Sequence, residues 1–117
     1  MIAVRDVPAS AAWYRKLFGC TSDHGRPDFD RLVSEGRVLL MLHQTQAEEH
    51  GLTRPVPGSV GSGFLLWVYV DDLDAVFLRA KALRAPIVSE PHANPQAGWR
   101  EFTVCDPDGY HVAIAET

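Results

Sequence analysis

Val4-Arg5-Asp6-Val7-Pro8-Ala9 and Val70-Asp71-Asp72-Leu73-Asp74-Ala75 are two versions of one pattern, set 66 residues apart. At that offset Val4 meets Val70, Asp6 meets Asp72 and Ala9 meets Ala75; further on, Arg15 meets Lys81 and Leu17 meets Leu83. In each copy an extended apolar segment runs into an Asp, and a helical pattern follows. The Asp suits an N-cap, where a side-chain oxygen accepts a backbone N–H that the first helical turn leaves orphaned. Leu73, Val76, Phe77, Ala80 and Leu83 then recur at helical spacing. Asp72 and Asp74 open that helix and Arg79, Lys81 and Arg84 close it, complementing its dipole. In the first copy Gly19 follows Leu17-Phe18 as a C-cap signal.

The ends of the copies also match, at an offset of 73: Gly36-Arg37-Val38-Leu39-Leu40 corresponds to Gly109-Tyr110-His111-Val112-Ala113. Each reads as the outgoing strand of a hairpin. In the second copy Asp106-Pro107-Asp108-Gly109 places Pro at i+1 and Gly at i+3 of a type I turn. Residues 45–62 are polar and rich in Gly and Pro, which predicts a linker or lid between a first module, 1–44, and a second, 63–117. Each module is one strand, one helix and about three strands. Neither is large enough to stand alone, so the two are expected to form a single domain.

Composition excludes several classes. At 117 residues, folding buries about two-thirds of the chain's surface, enough for a core without staples. Eleven Lys and Arg against fifteen Asp and Glu give a net charge of −4 with no basic stretch, which argues against nucleic-acid binding. The longest apolar run, residues 64–70, is far too short to span a membrane. No basic segment followed by an apolar one opens the chain, so a cytoplasmic protein is expected. Cys20 and Cys105 have no metal or redox spacing.

The chain resembles the glyoxalase/bleomycin-resistance/dioxygenase superfamily, the vicinal oxygen chelate proteins, over essentially its whole length. In the first half the resemblance rests on Val4-x-Asp6, Ser10 and Trp13-Tyr14-Arg15-Lys16-Leu17-Phe18-Gly19. In the second it rests on Trp67-Val68-Tyr69-Val70-Asp71-Asp72-Leu73-Asp74 and on residues 100–109, Arg-Glu-Phe-Thr-Val-Cys-Asp-Pro-Asp-Gly. It implies an α+β fold of two βαβββ modules whose curved mixed sheets enclose a ligand cavity. It also implies where a metal would sit. Metal-using members place ligands seven residues before each helix-capping Asp and four after each hairpin Gly. Here those positions are Leu65, Ala113 and Leu40, and the fourth falls ahead of Met1. Aliphatic side chains offer no imidazole or carboxylate to a divalent ion, so no metal and no cofactor is expected.

Strand alternation assigns the remaining faces. With Leu65 on the cavity side, Trp67 and Tyr69 join it, while Leu66, Val68 and Val70 turn to the helices. A four-residue turn at 106–109 pairs Cys105 with Tyr110 and Val104 with His111, and sets Phe102 opposite Ala113. The expected ligand-binding wall is then Leu40, Leu42, Leu65, Trp67, Tyr69, Phe102, Val104, His111 and Ala113, with Arg100 on the same side. Its make-up suits a small-molecule pocket; the alternative is a packed core or a subunit interface. His111 reads either as a ligand-orienting group or general base, or as a strand histidine at the rim. Arg100 reads as an anion contact or as the partner of a nearby carboxylate. Alternation in this register puts Cys105 and His111 on opposite faces, turns His43 away from the cavity and sets Gln44 at its mouth. Glu48, Glu49 and His50 read as solvated linker residues.

The bleomycin-resistance-type members are the most similar by these motifs. That resemblance implies a dimer that sequesters a small apolar or aromatic drug without a metal. Gly98-Trp99 inverts the Trp-Gly order usual there, which leaves the role of Trp99 open. The expected function is therefore metal-independent binding of a drug or natural product. Two enzymatic alternatives stand beside it: a lyase, isomerase or dioxygenase with a metal at non-standard ligands, and a cofactor-free enzyme using His111 or Tyr69.

Overall fold

The computed structural model describes residues 1–45 and 64–116. The proposed linker at 45–62 lies almost wholly outside them. The chain divides into two compact units, Met1–Ser62 and Gly63–Thr117. The first contains β1 (Ile2–Val4), α1 (Val7–Phe18), β2 (Thr21–Ser22), β3 (Phe29–Ser34) and β4 (Arg37–Gln44). The second contains β5 (Leu65–Tyr69), α2 (Leu73–Ala82), β6 (Ile87–Asn94), β7 (Trp99–Cys105) and β8 (His111–Glu116). Their sheets have the same order, β1-β4-β3-β2 and β5-β8-β7-β6. In each, the first strand runs parallel to the last and every other pair is antiparallel. This is the α+β fold of two βαβββ modules that the repeat predicts.

Both helices begin as the sequence dictates. Asp6 and Asp72 share an extended backbone, φ −136° in each, and their Oδ1 atoms accept from the N–H of Ala9 and Ala75 at 2.9 Å. α1 ends on Gly19 in the left-handed region, φ 69°, whose N–H donates to the Arg15 carbonyl at 2.8 Å. A side chain with Cβ would be strained there. α1 buries Val7, Ala11, Tyr14 and Leu17, and the strand residues Ile2, Val4, Leu32 and Leu42 are buried with them. In the second unit α2 buries Leu73, Val76 and Ala80, and β7 and β8 bury Phe102, Val104, Val112 and Ile114. Among the described residues, no helix is long and apolar enough to cross a membrane.

Two local features move the strand registers by one residue from what turn counting gives. In the second hairpin Asp106 stays in the ladder: its N–H donates to the Tyr110 carbonyl at 2.9 Å. Its Oδ1 accepts from the N–H groups of Asp108 and Tyr110 at 2.9 and 2.8 Å. The loop is therefore 107–109, with Gly109 at φ 86°, and Cys105 pairs with His111, Val104 with Val112 and Phe102 with Ile114. In the first hairpin a two-residue turn, Glu35-Gly36, has φ of 50° and 75° at its two positions, the left-handed pair a tight hairpin requires. Beyond it the register shifts between Leu32 and Val33, leaving Leu39 as an extra residue on β4.

Candidate functional site

Each sheet has one face against its helix and one turned away. A one-residue slip exchanges them. In the second unit the helix side is fixed by contact. The Phe77 ring of α2 meets Phe102 at 5.1 Å, edge to face. Arg100 Nη2 bonds Asp74 Oδ1 at 2.9 Å, and Glu116 Oε2 accepts from the Leu73 N–H at 3.1 Å. Phe102, Val104 and Arg100 thus lie on the α2 side and not on the expected binding wall. The side chains of Phe102 and Val104 are wholly buried. Arg100 is the partner of a carboxylate, and its guanidinium holds the Asp74 carboxyl below the usual range.

The face away from α2 keeps Leu65, Trp67 and Tyr69 on β5 and His111 and Ala113 on β8, as pairing Leu65 with His111 and Trp67 with Ala113 requires. From β7 it gains Trp99, Glu101, Thr103 and Cys105, which the expected register had turned inward. Cys105 and His111 are consequently cross-strand partners on one face, correcting their assignment to opposite sides. The Cys105 N–H donates outward to the Pro86 carbonyl, so this is a non-hydrogen-bonded pair, the closer of the two kinds.

Three aromatic rings dominate this face. Trp67, Tyr69 and Trp99 touch pairwise, with centroids 6.2, 5.9 and 6.1 Å apart and planes inclined at 61°, 68° and 86°. β8 runs between β5 and β7, so the Trp99 ring has to reach across it to meet the other two. It can because β8 presents only Ala113 and Ala115 at that level, both buried. Trp67 remains 39% and Tyr69 58% exposed, so the rings form a contiguous, partly exposed apolar patch. Trp99 Nε1 donates to Glu101 Oε2 at 2.7 Å, which fixes the indole. Trp99 also lines an open groove at the end of this sheet, with Asn94, Pro95, Arg100 and Glu116.

In the first unit Leu40 and Leu42 prove to be helix-side residues. Leu40 pairs with Leu32, and Leu42 with Asp30 and Ile2, a face buried under α1. Past the extra Leu39, the repeat's offset becomes 72: Ala3 pairs with His43 as Tyr69 pairs with Ala115. The residue equivalent to Ala113 is therefore Met41, not Leu40. His43, expected to face away, lies on the face opposite α1, packed against Phe29 at 5.9 Å, and Gln44 falls on the α1 side. Glu48, Glu49 and His50 lie outside the described residues.

Leu65, Ala113 and Met41 give a donor set that does not fit a divalent ion at the family's position. Among the described residues no three His, Cys, Asp or Glu side chains gather elsewhere.

One buried group carried no signal in the sequence. Asp30 on β3 is 4% exposed and accepts from Ser22 Oγ, from the Gly25 N–H at 2.8 Å and from the Arg31 N–H at 2.7 Å. Burial pushes its pKa up, but these bonds and one from the His24 N–H outweigh that and hold the carboxyl below its ordinary value. Asp30 thereby ties β2 and the 23–28 loop to β3.

The architecture and the sequence place the chain in a known class. Residues 1–114 match the Glyoxalase/Bleomycin resistance protein/Dioxygenase superfamily profile. The chain belongs to that superfamily. Its fold is shared with TioX from Micromonospora sp. ML1, at 22% identity and TM-score 0.77, covering 98% of this chain and 93% of that one. It is shared with virulence protein STM3117 from Salmonella typhimurium, at 21% identity and TM-score 0.73, covering 98% and 90%. A lactoylglutathione lyase from Agrobacterium tumefaciens is similar at 23% identity and TM-score 0.70, covering 99% and 88%. No curated protein matches the sequence.

Proposed function

We propose that this protein is a metal-independent, bleomycin-resistance-type binder that sequesters a planar apolar or aromatic small molecule, a drug or natural product, in the cytoplasm. The carrying observation is the aromatic trio of Trp67, Tyr69 and Trp99, left partly exposed on the sheet face away from α2. Rings of this kind supply large contact area to a planar ligand at little entropic cost. Leu65, His111 and Ala113 share that face and complete the ligand wall. Leu65, Ala113 and Met41 offer no imidazole or carboxylate to a divalent ion, which favours a binder that works through its rings. Fold alone does not separate a binder from an enzyme, since the shared architecture serves a lactoylglutathione lyase as well.

A neutral planar probe, quinoline, should quench tryptophan fluorescence saturably, and Trp67→Ala should weaken its binding by about 1–3 kcal/mol. The titration should be unchanged after treatment with a chelator. Unaltered affinity in folded Trp67→Ala would refute the assigned face. A second reading follows from the Cys105–His111 pairing: a cofactor-free enzyme in which exposed His111 moves a proton. His111→Ala separates the two. A binder loses about 1 kcal/mol of affinity or less, while an enzyme loses roughly a hundredfold in turnover.

A symmetric homodimer belongs to the same reading. β1 is a three-residue edge strand whose outer backbone groups a second chain would cover. Sedimentation at micromolar concentration should give twice the monomer mass, and a monomer alone would contradict it.

A further inference from the structure

The aromatic face carries a negative charge of its own. Glu101 stands beside Trp99 with its side chain only 15% exposed, a costly place for a carboxylate without a purpose. Its oxygens accept from Trp99 Nε1 at 2.7 Å and from Asn94 Nδ2 at 3.2 Å, and His92 Nε2 lies 3.6 Å away. The first two donors are neutral groups. Arg100, the one Arg or Lys in the four strands of this sheet, is turned to the opposite face and held by Asp74. Among the described residues, no fixed cation neutralises Glu101.

The rings have the matching geometry. The three rings meet edge to face at 61°, 68° and 86°, with centroids close to 6 Å apart, and Trp67 and Tyr69 stay 39% and 58% exposed, leaving aromatic surface open to a ligand. A cation within about 6 Å of a ring centroid is drawn to the negative faces of indole and phenol rings. Tryptophan, two of the three rings here, is the strongest such partner. A strongly hydrated ion would lose too much solvation at an apolar wall, whereas a substituted ammonium is weakly hydrated and carries its own apolar frame.

We propose that Trp67, Tyr69, Trp99 and Glu101 form a recognition site for an organic cation, a substituted or quaternary ammonium on an aromatic or apolar frame. This rests on the binding function proposed above and names its ligand class. The rings hold the ammonium through their faces, Glu101 compensates its charge through the electrostatic field of the site, and Asn94 and Trp99 hold the carboxylate in place.

The test is a matched pair of probes, 1-methylquinolinium and quinoline, titrated into the full chain at pH 8, where quinoline is uncharged. The cation should bind about tenfold more tightly than its neutral isostere. Glu101→Gln keeps the side chain's shape and one acceptor oxygen for Trp99 Nε1; it should cut that preference to about threefold or less. Trp99→Leu should weaken the cation more than the neutral probe, which keeps the inference testable without the Glu101 variant. Equal affinity of the two probes for the wild-type protein would overturn the cation assignment and leave the binding function standing. Failure of both probes to bind would overturn both. A preference that survives Glu101→Gln undiminished would also overturn it.

Discussion

Phe102→Ala should lower the stability of this protein by about 3–5 kcal/mol, the usual cost of emptying a fully buried aromatic site. The ring is wholly enclosed and meets Phe77 of α2 edge to face at 5.1 Å, so its removal leaves a cavity that neighbouring Val104, Val112 and Ile114 only partly fill. Denaturant unfolding should show the midpoint falling with little change in slope. Phe102→Leu, which retains much of the volume, should recover a large part of the loss. The same variants distinguish the two sides of the sheet. Under conditions where Phe102→Leu is folded, ligand affinity should match that of the wild type, because the residue lies on the helix side. A stable Phe102→Ala with selectively impaired ligand binding would return Phe102 to the ligand wall and reverse the register.

Asp30→Ala should cost about 2–4 kcal/mol, since it leaves the Ser22 hydroxyl and the Gly25 and Arg31 N–H groups without their acceptor in a buried setting. Asp30→Asn should cost less at neutral pH, keeping one acceptor oxygen. The pH dependence has a definite sign. The folded-state pKa of Asp30 lies below its unfolded value, so its ionised form stabilises the fold above the unfolded pKa, about 3.9. That contribution is lost as pH falls from there through the lower folded value. The stability gap between wild type and Asp30→Asn should therefore be constant near neutrality and close below about pH 4. A gap that widens on acidification would show that Asp30 is not held as the buried anion.

Much of this architecture is local and was legible as such. Asp6 and Asp72 cap their helices through a bond to the N–H three residues on, an interaction that needs nothing but its own segment. The helical spacing of Leu73, Val76 and Ala80 marked the buried face of α2, and the 66-residue repeat gave two copies of one strand order. The alternation of Leu65, Trp67 and Tyr69 correctly set those three on one side of β5, because it depends only on the period of an extended chain.

Which β7 residues stand opposite them is a different kind of question. A strand's facing residue depends on the length of the connecting loop, and one residue of error inverts every assignment. The Asp106 carboxylate decides it by holding two backbone N–H groups and keeping its own residue in the ladder, which shortens the loop to three residues. In the first unit the extra Leu39 does the same to β4 and replaces Leu40 by Met41 at the equivalent position. The site itself is more remote still from sequence pattern. Trp99 meets Trp67 and Tyr69 only because β8 lies between their strands and offers two alanines to reach across. By itself the sequence determined the modules, their helices and the aromatic pair on β5, since caps and periodicity act within a few residues along the chain. The tertiary structure alone decided that Glu101 and Trp99 join that pair while Phe102 and Arg100 turn away, because facing is set by contacts between strands.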